Sequence, residues 1–173
     1  MDKKMDERAI QYCMQILDEI GRAVEEIGMV LHRADLQDTR GIPSGVITFP
    51  DDRSKSWAIT CSALVTHVNT VSTGFVQLFL PLTEPLPEKR YQLEMFIEGC
   101  AGYFMLGSLG IFDDYLAMKY VLALEPAVDM NTDHFLAALV TFAHQAQVIN
   151  QQAAGLCSGT LTMEQALDFN AVQ

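Results

Sequence analysis

Gly74-Phe-Val-Gln-Leu-Phe-Leu-Pro-Leu82 limits the fold more than any other stretch of the chain. Phe75, Gln77 and Phe79 alternate with Val76, Leu78 and Leu80, so a strand here is apolar on both sides. Such a strand belongs inside a sheet, with cover on each face. The remaining segments read as its neighbouring strands or as that cover.

The first cover is a helix. Ile10, Cys13, Met14, Leu17, Ile20, Gly21, Val24 and Ile27 recur at the spacing of one helical face. Asp18 and Arg22 are placed for an i,i+4 pair, and Gly28 is a stop signal. Met29-Val-Leu-His32 reads as a last turn or a short extended lead-out, and 33–45 as a polar loop. Val46–Phe49 reads as a strand, followed by a surface turn at 50–55. In the next strand, Trp57, Ile59, Cys61, Ala63 and Val65 share one face, with Ser56, Thr60 and Ser62 on the other. The Thr/Asn/Ser content of 66–73 suggests a strand end and a turn at Gly74.

Pro81 and Pro85 end the central strand, and Pro87 suits the first position of a helix. Leu93, Phe96, Ile97, Cys100 and Phe104 form that helix's apolar face, interrupted by Gly99 and Gly102. The two glycines permit close approach of another backbone or mark an early end. Residues 105–112 and 115–124 read as a hairpin about Asp113-Asp114, a dipeptide unlike the favoured Asn-Gly. Asn131 or Thr132 caps a last helix, with Phe135, Leu139, Phe142, Ala146 and Ile149 on its apolar side. Ala137, Thr141, His144, Gln145, Val148, Gln151 and Gln152 lie opposite. That face is polar yet uncharged, where exposed helices usually carry Lys and Glu. It reads either as a face partly covered by the tail or as a contact surface for a partner. Ser158-Gly159 breaks the helix, and Thr162-Met-Glu-Gln165 fits a capping box. Residues 1–157 therefore read as a single domain, and 158–173 as a tail with a short helix.

Composition excludes several functions. A formal net charge of −11 opposes nucleic acid, whose phosphates need a basic footprint, and an anionic membrane surface. It suits a basic protein partner, or solubility alone. No Lys or Arg follows Lys119. Cys13, Cys61, Cys100 and Cys157 are scattered, with no CxxC and no close cysteine–histidine pair, so neither zinc nor redox chemistry is indicated. The charged N-terminal residues do not resemble a signal peptide, and no apolar run is long enough to span a membrane. The expected setting is the cytoplasm.

No catalytic motif is complete in the sequence. Gly107-Ser-Leu-Gly110 has the wrong spacing for a nucleophile elbow. Asp129-Met-Asn-Thr-Asp133 begins like a calcium loop, but His134 stands where glycine belongs and Val140 where the bidentate glutamate belongs. His144 has no carboxylate at helical spacing to orient it as a base. His32, His67 and His134 lie near element ends, and Asp51-Asp52 and Asp113-Asp114 are explained by turn chemistry. The residues thus name no catalytic group, no cofactor and no metal.

The elements run α-β-β-β-α-β-β-α. That order resembles the fold shared by type III secretion chaperones and the YbjN family, over residues 5–155. Local texture is similar to YbjN proteins: Ser56-Trp-Ala-Ile-Thr60, Phe79-Leu-Pro-Leu82, Gly107-Ser-Leu-Gly-Ile-Phe-Asp-Asp114, Met118-Lys-Tyr-Val-Leu-Ala-Leu124 and Asp133-His-Phe-Leu-Ala-Ala-Leu139. The resemblance implies an α+β fold with an antiparallel five-stranded sheet flanked by helices, and often a homodimer. Chaperones of this fold hold an extended client against apolar patches. The expectation is a non-enzymatic protein-binding or regulatory protein whose partner is a basic or extended segment. The uncharged face of the last helix is the candidate partner surface, and Gly99 and Gly102 the candidate subunit contact. The alternatives are a small ligand-binding protein or enzyme with a pocket between sheet and helix, and a dedicated type III secretion chaperone.

Overall fold

The computed structural model describes residues 7–48, 58–68, 71–83, 87–103, 106–124 and 130–169. Phe49, the turn at 50–55, Ser56, Trp57, Pro85, Phe104, Met105 and Asp129 lie outside the described residues. The chain is α+β, with helices flanking an antiparallel sheet. The sheet has six strands rather than five. They are β1 (Val30–Arg33), β2 (Ser44–Thr48), β3 (Ala58–Val68), β4 (Val71–Pro81), β5 (Ser108–Phe112) and β6 (Tyr115–Leu124). Their lateral order is β1-β2-β3-β4-β6-β5, so the 74–82 stretch falls on an interior strand. The helices are α1 (Glu7–Glu26), α2 (Arg90–Cys100), α3 (Thr132–Ser158) and α4 (Met163–Ala166).

The additional strand is β1, which the sequence left between a last turn and an extended lead-out. Its cause is the way α1 ends. The Gly28 N–H donates to Glu25 O (3.0 Å) and the Met29 N–H to Val24 O (2.9 Å), with Gly28 at φ 78°. This Schellman ending satisfies the last carbonyls and reverses the chain. Val30–Arg33 then pairs antiparallel with β2, Val30 opposite Thr48 and Arg33 opposite Gly45. The polar loop is accordingly shorter than 33–45, since Arg33, Ser44 and Gly45 are strand residues.

Two compact units share the chain. The first comprises residues 1–78 and 121–137, the second 79–120 and 138–173. Strands β4 and β6 and helix α3 each pass from one to the other.

In the first unit, α1 packs on β1, β2 and β3. Cys13, Ile16, Leu17, Ile20 and Val24 are buried, as are Ile47, Ile59, Cys61 and Ala63 on the strands. Each fully buried large side chain contributes about 1.5–3 kcal/mol. The anticipated turn at Gly74 does not occur, because β4 begins at Val71. Gly74 serves a close approach instead: a Cβ there would lie 3.0 Å from Tyr12 Cε1. Asp18 does not form its ion pair with Arg22. Its carboxylate takes Arg33 of β1, while the Arg22 Nε donates to the Asp18 carbonyl at 3.4 Å.

In the second unit, Leu80, Leu93, Phe96, Cys100, Leu116, Met118, Leu139, Phe142, Ala146 and Ile149 are buried. The Tyr120 and Phe142 rings lie 6.5 Å apart, joining β6 to α3. Only one side of β4 is sealed along the strand: Val76, Leu78 and Leu80 are buried, whereas Phe75, Gln77 and Phe79 are half-buried. Phe79 is covered by Phe112 of β5, edge to face at 5.5 Å. Pro87 opens a single 3₁₀ turn, Pro87–Lys89, ahead of α2.

Candidate functional site

Helix α3 begins at Asn131, the first of the two anticipated caps. Its Oδ1 accepts the His134 N–H at 2.9 Å, satisfying one of the orphan donors of the first turn. The helix ends in a second Schellman arrangement, with Gly159 N–H donating to Leu156 O (3.2 Å) and Thr160 N–H to Gly155 O (3.0 Å). Between these caps run 27 residues, about 40 Å of helix.

The uncharged residues of α3 do not form one solvent face. Ala137, His144 and Gln151 are exposed, and Thr141 and Val148 half-buried. Gln145 turns inward and brackets the backbone of Leu106, accepting its N–H at 3.1 Å and donating to its carbonyl at 3.5 Å. Gln152 is 5% exposed, and its Oε1 has no hydrogen-bond partner among the described residues. Gln145 is turned inward because its amide satisfies the Leu106 backbone, whereas Gln152 is simply buried. Within the second unit the solvent side of α3 consists of Val140, His144, Gln147, Gln151 and Ala154, with no charged side chain. Val140 is 51% exposed.

The two glycines of α2 also divide. A Cβ on Gly99 would lie 2.5 Å from Leu167 Cδ1, so this glycine admits a side chain of its own chain. Leu167 is placed there by α4, whose Thr162 and Gln165 form the full capping box read from the sequence. Gly102 follows the end of α2 and would leave its Cβ in open space. Along the same helix Tyr91 is 75% exposed and Met95 45%, and Tyr103, just past its end, is 50% exposed. The sequence reading missed this apolar outer side. Its signal was the i,i+4 pair Tyr91 and Met95, on the helix side opposite Leu93 and Phe96. Arg90 anchors the start of α2, its Nε 3.0 Å from Glu94 Oε1 and its Nη1 3.1 Å from Asp114 Oδ1. Gln92 donates to the Leu156 carbonyl at 3.4 Å, tying α2 to α3.

Three of the four thiols, Cys13, Cys61 and Cys100, are buried. Burial pushes the Cys13 thiol up to about 11 and the Cys61 and Cys100 thiols up to about 12. A thiol is reactive as the thiolate, so these stay protonated at neutral pH. Cys157 is also raised by burial, with Lys89 opposing the shift. His32 Nε2 lies 3.0 Å from Thr48 Oγ1, across the β1–β2 pair. His144 has no hydrogen-bond or ion-pair partner among the described residues.

A hollow of about 280 Å³ opens in the first unit, lined by Glu19, Arg22, Ala23 and Glu26 of α1 with Met130 and Thr132. Its walls are α1 and the segment that leads into α3. Among the described residues no cluster of three or more His, Cys, Asp or Glu side chains could hold a metal ion. No described helix is long and apolar enough to cross a membrane. Comparison with protein-family models, with curated proteins and with solved structures returned no match to the chain.

Proposed function

We propose that this is a cytoplasmic, non-enzymatic protein-binding or regulatory protein of the YbjN-like type, acting as a homodimer. The observation that carries the reading is the solvent side of α3 in the second unit. Val140, His144, Gln147, Gln151 and Ala154 leave it uncharged in a chain of net charge −11. Covering such a surface strips water from no charged group, which removes the largest penalty on association. Interface centres are depleted of charge in the same way.

The subunit contact is assigned to the outer side of α2. Tyr91 and Met95 are exposed one turn apart on α2, with Tyr103 exposed just past its end, and tyrosine and methionine are enriched at interfaces. The net charge of −11 steers a basic partner towards the chain.

Light scattering of the full chain should give twice the chain mass, and Tyr91→Glu with Met95→Glu should return it to one. A single-chain mass for the unaltered protein across micromolar concentrations would end the dimer reading. For the partner face, His144→Glu with Gln147→Glu should abolish co-purification of native partners identified by mass spectrometry, while leaving the unfolding midpoint within about 0.5 kcal/mol of the parent. Undiminished recovery of the same partners by the charged variant would remove α3 as the docking surface.

A further inference from the structure

We propose that the free edge of β5 binds an extended, basic polypeptide segment as an added strand. This rests on reading the protein as one that binds proteins, and names the kind of partner it takes. Strand β5 stands last in the lateral order and, among the described residues, is paired on one side only, with β6. Phe112 opposite Tyr115 closes the two-residue hairpin, and Gly110 opposes Ala117. In antiparallel pairing, hydrogen-bonded and non-bonded pairs alternate. Phe112–Tyr115, Gly110–Ala117 and Ser108–Lys119 are the bonded pairs, so Leu109 and Ile111 direct N–H and C=O away from β6. The backbone of Leu116, opposite Ile111, agrees. Its carbonyl accepts the Leu82 N–H at 2.7 Å and its N–H donates to Thr83 Oγ1 at 3.2 Å, both away from β5.

Exposed strand edges are ordinarily blunted by a charge, a proline or a bulge. The other edge strand, β1, carries His32 and Arg33, and Arg33 is clamped to Asp18 and to the Met14 carbonyl at 3.1 Å. Ser108-Leu-Gly-Ile-Phe112 has neither charge nor proline. It offers two outward donors and two outward acceptors over about 17 Å, the requirement for strand addition.

Charge selects the occupant. The turn that ends β5 is Asp113-Asp114, exposed, with Asp114 only partly neutralised by Arg90. A second copy of β5, Ser108-Leu-Gly-Ile-Phe112, brings no basic side chain to meet Asp113 and Asp114. The fitting segment has apolar residues opposite Leu109 and Ile111, a residue of any size over Gly110, and Lys or Arg reaching Asp113 and Asp114.

The probe is a short dye-labelled peptide alternating valine with lysine, beside its counterpart alternating valine with glutamate. Anisotropy should show the lysine peptide binding the full chain and the glutamate peptide not. Binding should slow amide exchange at Leu109 and Ile111. Ile111→Pro should weaken it at least about tenfold, since it removes an outward donor and leaves the bonds to β6 in place. Leu109→Pro provides a second variant, and circular dichroism of both establishes that they fold. Four results overturn the proposal: no binding of the lysine peptide, equal binding of the glutamate peptide, protection at other amides, or wild-type affinity in folded proline variants. Concentration-dependent protection of the two amides in the chain alone, with doubled mass, would assign the edge to a second copy instead. Failure here with partner recovery still sensitive to charges on α3 would leave the proposed function standing.

Discussion

Gly107 occupies a position that excludes every other residue. Its φ is 82°, and a Cβ would lie 2.5 Å from the Lys119 carbonyl oxygen, a backbone atom that cannot swing aside. Gly107→Ala combines left-handed strain with that clash, and should cost more than about 2 kcal/mol. A denaturant midpoint unchanged from the parent would show that the start of β5 yields. Single residues were the scale at which the sequence was least informative. Asp18 has a legible partner in Arg22, four residues on, yet its carboxylate goes to Arg33. The i,i+4 rule states which side chains can meet on an isolated helix; a strand laid beside that helix offered a better-placed cation. Gln145 and Gln152 were equally opaque. An amide on a helix flank reads as solvent-facing until one knows that the Leu106 backbone lacks a partner.

Elements were more legible, because their signals are local. The ends of α1 and α3, the capping box of α4 and the pairing of Phe112 with Tyr115 all follow from residues within six positions of each other. The hairpin was placed by its Asp113-Asp114 turn despite an unfavoured dipeptide. Both residues have positive φ, 47° and 67°, as a type I′ turn demands. Asp114→Gly should therefore raise stability by about 0.5–1 kcal/mol by removing left-handed strain. The lost contact with Arg90 offsets little of this, since both side chains are half exposed. A fall in the thermal midpoint would mean that the Arg90 bridge outweighs the backbone term. Strand β1 was the element whose type stayed open, between a last helical turn and an extended lead-out. Four residues carry no usable period, and they became a strand only because β2 lay alongside.

For the molecule as a whole, burial of three thiols makes stability fall in alkali. Cys13, Cys61 and Cys100 are raised from 9.0 to about 11, 12 and 12 by desolvation. A raised pKa means the folded state holds its proton more tightly than the unfolded one. The associated stability is complete below about pH 9 and is lost as pH climbs towards 11–12. Each thiol contributes a loss of about 1.4 kcal/mol per pH unit within that window. Cys61→Ala should flatten the decline between pH 9 and 11 by about that amount, measured as denaturant midpoints at each pH. Parallel curves for parent and variant would show that Cys61 ionises freely in the folded protein.

Local sequence was enough for the α+β class, the ends of α1 and α3 and the alternation of β4, but not for which face of β4 is sealed or where α2 starts. Each legible feature depends on a period or a cap repeated within a few residues, and backbone geometry reads such repeats without reference to distant parts of the chain. Tertiary structure alone decided that there is a sixth strand, that β5 stands at an open edge, and which uncharged side chains of α3 face water. Those outcomes hinge on partners remote in sequence, since an N–H or an amide is satisfied by whatever neighbour the fold brings within 3 Å.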